Sequence, residues 1–179
     1  MSSINFSIYL EFKDKNAAQV AADVLKRQFW LPYLKNASEI KQQFEQLGMT
    51  PEKLLKFNML TQWFGEHQIM MNNGVVDYFT YYGHRRGFQP FVDCFRCLMN
   101  LNGVTAYGEA DNDANDGELY LYNHGEHIYY CYTDYPMLLK LDSWYKSKLP
   151  PPETRGLGLC KALDQQGMFT GKIDKVISY

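Results

Sequence analysis

Apolar and polar residues alternate without a break at the start of the chain. Ile4, Phe6, Ile8, Leu10 and Phe12 fall on one side, and Asn5, Ser7, Tyr9 and Glu11 on the other. A period of two sustained this long predicts a β-strand with one buried face. The period then changes. Ala17, Val20, Ala21, Val24 and Leu25 form a helical stripe, with Asp14 or Asn16 placed to cap it, and Pro32 interrupts soon after Trp30. A second helix is expected from Asn36, where Asn36 and Glu39 have capping-box spacing. Ile40, Phe44 and Leu47 share one face of it, and Gly48 stands at its C-cap. Thr50-Pro51-Glu52 supplies a capping hydroxyl, a proline at N1 and a first-turn acid. It predicts a third helix running through Leu55, Met59 and Trp63 to Gly65.

Strand patterning returns at Gln68–Asn72 and Val75–Tyr82, on either side of Asn73-Gly74, the dipeptide that favours a type I′ hairpin. A helix over residues 88–101 carries Phe91, Phe95, Leu98 and Met99 on its core side. Residues 104–110, 118–122 and 127–133 read as three more strands, separated by a polar loop and by Asn123-His124-Gly125. Asp134-Tyr135-Pro136 opens a helix through Leu139 and Trp144. Pro150-Pro151-Pro152 forms a stiff, polyproline-like spacer. The residues after it are weakly patterned, with an edge strand expected somewhere in 172–179.

Short connections between strands make neighbours antiparallel and segregate helices to one face. The expected fold is therefore α+β: a mostly antiparallel sheet with helices packed on one face, a ferredoxin-like or related sandwich. Residues 1–149 form one domain, and the Pro-rich spacer and tail, 150–179, pack on it. The length, 179 residues with 46% hydrophobic and 21% charged, suits one globular domain. No segment has the roughly 20 apolar residues that span a bilayer, and residues 1–5 lack the features of a secretory signal. The four cysteines then suit a reducing compartment, and a cytoplasmic location is expected.

Charge changes the picture. Residues 104–139 contain Glu109, Asp111, Asp113, Asp116, Glu118, Glu126 and Asp134 and no lysine or arginine. That segment carries −7 in a chain of net −2, leaving +5 elsewhere. It is also rich in tyrosine. Leu119 and Leu121 alternate with Tyr120 and Tyr122, so core-facing leucines would turn both tyrosines to solvent. Ile128, Tyr130 and Tyr132 share a strand face, as do Val76, Tyr78, Thr80 and Tyr82.

Tyrosine offers wide contact area at low entropic cost, and an acidic rim steers a basic partner. The expected function is non-enzymatic protein binding. The expected surface comprises Asp111, Asp113, Asp116, Glu118, Tyr120, Tyr122, Glu126, Tyr130 and Tyr132. Its concrete form is a small bacterial inhibitor or immunity protein that neutralises a toxin with a basic surface, with no nucleic acid, membrane or cofactor involved.

The alternative is a metal-dependent hydrolase using Asp111, Asp113, His124 and His127. The other chemical motifs fit less well. Counted from Asp111, a calcium loop would need glycine where Asp116 stands and a glutamate where Tyr122 stands. Cys94 and Cys97 lie about two turns into their helix, away from the N-terminal dipole that activates a redox pair. Gly156-Leu157-Gly158-Leu159 lacks the third glycine and preceding strand of a phosphate loop. His84-Arg85-Arg86 reads as a solvated basic turn.

Overall fold

The computed structural model describes residues 4–30, 37–82, 87–112, 117–134 and 155–173. Asp134, expected to open a helix, ends a strand instead, and the rest of that expected helix, the proline spacer, the basic turn at 84–86 and residues 174–179 lie outside these. The described residues form an α+β sandwich of five helices on a seven-stranded antiparallel sheet. In chain order the elements are β1 (Ile4–Phe12), α1 (Lys15–Trp30), α2 (Ala37–Gln46), α3 (Pro51–Thr61), β2 (Gln68–Asn72), β3 (Val75–Tyr82), α4 (Gln89–Leu98), β4 (Val104–Asn112), β5 (Gly117–His124), β6 (His127–Asp134), α5 (Arg155–Gln165) and β7 (Gly171–Ile173).

The strand order is β2-β3-β1-β4-β5-β6-β7. The first four strands, with helices between β1 and β2 and between β3 and β4, reproduce the split β-α-β arrangement of ferredoxin-like folds. β5, β6 and β7 continue that sheet beyond β4.

The alternation in β1 has the expected consequence. Ile4, Phe6, Ile8, Leu10 and Phe12 are buried against the helical layer formed by α1 to α4. Ala18, Ala21, Ala22, Val24 and Leu25 of α1 join this core. Asp14 Oδ1 accepts from the Asn16 amide at the start of α1, and Thr50 Oγ1 accepts from the Lys53 amide at the start of α3. Asn73 and Gly74 both take positive φ, 51° and 84°, as a type I′ hairpin requires.

Two details differ from expectation. α3 ends at Thr61, and it buries Leu54, Phe57 and Thr61 while Leu55, Met59 and Trp63 are exposed. Two apolar stripes compete for the core in that helix. The one carrying Phe57 wins because its ring packs edge-on against Phe44 and Tyr78. The second difference is α5, in the weakly patterned tail. It packs on β4 and β5 from the face opposite α1–α4. The sheet is thus covered on both sides where β4 and β5 run.

Candidate functional site

Register places the polar residues of the second face in rows across the strands. One row runs Asp77, Tyr9, Tyr107, Tyr122 and Tyr129, each directly opposite the next on β3, β1, β4, β5 and β6. The next row is Ser7, Glu109, Tyr120 and Cys131, and the one after it is Asn5, Asp111, Glu118 and Thr133. Directly opposite residues share a face, so four tyrosines form a ladder bordered by carboxylates.

Hydrogen bonds tie the rows together. Tyr9 Oη donates to Glu109 Oε1 at 2.6 Å, and the Tyr120 hydroxyl donates to Glu118. Tyr107 and Tyr122 stack with ring centroids 4.9 Å apart. Burial, reinforced by Glu109 beside Tyr9 and by Glu118 beside Tyr120, holds both phenols well above their ordinary range. These tyrosines act as neutral donors to carboxylates, not as bases or nucleophiles.

α5 lies across the ladder. Leu159, Cys160, Ala162 and Leu163 are buried against Tyr9, Tyr107, Tyr120 and Cys131. Tyr107 Oη donates to Asp164 at 3.2 Å, and Lys161 pairs with Glu11. Gly156 permits the close approach, because a Cβ there would overlap the Tyr9 hydroxyl and sit 2.6 Å from Glu109 Oε1. The Gly156-Leu157-Gly158-Leu159 run is therefore a helix packed on a sheet, not a phosphate loop.

Beside the start of α5 an open cleft of about 240 Å³ is lined by Asn5, Ser7, Phe79, Glu109, Asp111, Glu118, Gly156 and Leu159. Three carboxylates from two adjacent strands converge there. Such a site favours a cationic group, and the Tyr9 and Tyr120 hydroxyls hold two of its carboxylates in place.

The expected surface residues separate into groups. Tyr120 was expected to face solvent and instead is 0% exposed, because α5 covers it. Tyr122 is half-buried against Phe169. Tyr130 and Tyr132 are exposed, at 37% and 47%, but they stand opposite Leu121 and Leu119 and so belong to the other face. Tyr78, which shares its strand face with Val76, Thr80 and Tyr82, is fully buried in the helical core, where its hydroxyl meets His67 Nδ1 at 2.9 Å. Burial depresses the His67 pKa to about 4.

Asp111 is exposed and Glu118 half-buried, both at the cleft. Glu126 is exposed in the β5–β6 turn at the far end of the sheet. Asp113 and Asp116 lie outside the described residues.

Among the described residues of the metal set, Asp111 is not brought together with His124 and His127. His124 and His127 pair at the turn end of β5 and β6, whereas Asp111 pairs with Glu118 at the opposite end of β5. Six residue-to-residue steps of strand separate His124 from Glu118, roughly 20 Å at about 3.3 Å each. Cys94 and Cys97 are buried in α4, and burial pushes the Cys97 thiol up to about 11 and the Cys94 thiol well above its ordinary value. Neither is poised for redox chemistry.

Tyr9, Asp77 and the covering helix escaped the sequence reading. The one signal for α5 was the Leu159/Leu163 pair at helical spacing, diluted by two glycines. The fold and site define an α+β sandwich whose second face carries a tyrosine ladder and a carboxylate cleft beside a covering helix. No family model, no curated protein and no solved structure matches the chain.

Proposed function

We propose that this chain is a non-enzymatic binding protein that takes a lysine or arginine side chain of a basic protein partner into the carboxylate cleft. The observation that carries the reading is the convergence of Glu109, Asp111 and Glu118 on one cleft, within a segment of −7 charge. A polarised surface accelerates encounter with a basic partner, and a carboxylate cluster gives the docked cation its specificity. The concrete form is an inhibitor or immunity protein occluding a toxin's basic surface; its support is this charge distribution. A cytoplasmic location belongs to the same proposal and is supported by four free, buried cysteines.

The test is affinity capture from the source cells at low and high salt, with wild type beside Asp111→Lys. Asp111 is exposed, so reversing its charge leaves the core untouched. The expected result is one basic protein retained by wild type at low salt, released by high salt, and bound at least about tenfold more weakly by Asp111→Lys. Equal retention by both proteins removes the cleft from the interaction.

A further inference from the structure

We infer that α5 is a displaceable strap that closes over the tyrosine ladder, so that the binding surface extends beneath it. This rests on the binding reading above and adds its regulation. Two of the polar pairs beneath α5 are built to survive uncovering. Tyr9 donates to Glu109 and Tyr120 to Glu118, both within the sheet, so these pairs persist when α5 leaves. A face that served only as core would be apolar, as the opposite side of the same strands is: Ile8, Leu10, Ala106, Leu119 and Leu121.

The seat of α5 is also small. Leu159, Cys160, Ala162 and Leu163 anchor it, with Leu157 partly buried beside them, whereas α4 buries Phe91, Val92, Cys94, Phe95, Cys97 and Leu98 on the other face. Of the polar ties of α5, the ion pair Lys161–Glu11 is peripheral, more than a third exposed on both sides. Gly156 and Gly158 lower its intrinsic helicity further. Elements with few buried apolar contacts open at free energies below that of global unfolding. The closed form presents the carboxylate cleft alone, and the open form adds Tyr9, Tyr107 and Tyr120 to it.

The chain carries its own probes. Cys160 is fully buried between α5 and β4, its Sγ 3.8 Å from the Gly108 carbonyl oxygen. Cys94 is fully buried in α4. Alkylation of the native protein with N-ethylmaleimide, followed peptide by peptide in a mass spectrometer, times the exposure of each. A strap that lifts alone predicts Cys160 reacting about 100-fold faster than Cys94. Leu163→Ala should quicken Cys160 by about tenfold and keep it well ahead of Cys94, which quickens with the loss of global stability. Rates within about tenfold of each other, in wild type or in Leu163→Ala, mean that α5 leaves only on global unfolding and overturn the inference. No partner is present in the tube, so this failure is separate from a failure of Asp111→Lys to alter capture.

Discussion

Asp77→Asn should make the protein more stable at neutral pH, and the gain should fade in acid. Asp77 begins the tyrosine row, opposite Tyr9 on β1 and Met70 on β2. Its Oδ1 is buried with no hydrogen-bond partner, and burial pushes its pKa from 3.8 up to about 6. Folding therefore favours the protonated carboxyl. Below about pH 3.8 folded and unfolded chains both carry the proton and the acid costs nothing. Between that value and about 6 the unfolded chain ionises first and the cost grows. Above 6 it is paid in full.

A displacement of that size corresponds to about 3 kcal/mol at 1.36 kcal/mol per tenfold change in proton affinity. Partial solvent access brings the expectation down to about 1–3 kcal/mol. Asparagine keeps the shape and discards the charge. Urea unfolding followed by tryptophan fluorescence, at neutral pH and at about pH 5 and 4, should show this gain shrinking to a few tenths of a kcal/mol at the lowest pH. A variant less stable than wild type at neutral pH, or a difference constant with pH, refutes the argument and means that Asp77 has a counter-charge.

Gly156→Ala should reverse the usual sign. Alanine normally stabilises a helix position by about 0.5–1 kcal/mol, but here its Cβ would overlap Tyr9 and crowd Glu109. The expected result is a loss of about 1–3 kcal/mol in urea with faster Cys160 alkylation; a stabilised protein would mean that α5 does not sit as described. Tyr120→Ala, a fully buried residue, should cost about 3–5 kcal/mol in the same assay. Tyr132→Ala, 47% exposed and in ring contact with Phe88, should cost at most about 1.5 kcal/mol. Similar costs for the two would contradict the division of the tyrosines between faces.

What the chain pattern reveals, and what it hides, follows from the distance over which each rule acts. Strand alternation and turn chemistry are local, so β1, the Asn73-Gly74 hairpin and the Thr50 cap are legible in a few consecutive residues. Alternation also assigns side chains to faces correctly: Leu119 and Leu121 lie on one, Tyr120 and Tyr122 on the other. It does not say what covers a face. Tyr120 is buried by α5, a helix from the far end of the chain whose apolar stripe is two leucines, a cysteine and an alanine. The usual equation of polar with exposed fails here for a physical reason. A tyrosine and a carboxylate that satisfy each other, as Tyr9 with Glu109 and Tyr120 with Glu118, present little unmet hydrogen-bonding demand to the layer above. A modest helix can then seat on them. The same pairing makes the seat reversible in principle, because uncovering it breaks few polar contacts. The acidic cleft was legible only as composition: residues 104–139 announce the charge, and the β4–β5 register that sets Asp111 beside Glu118 turns it into a site.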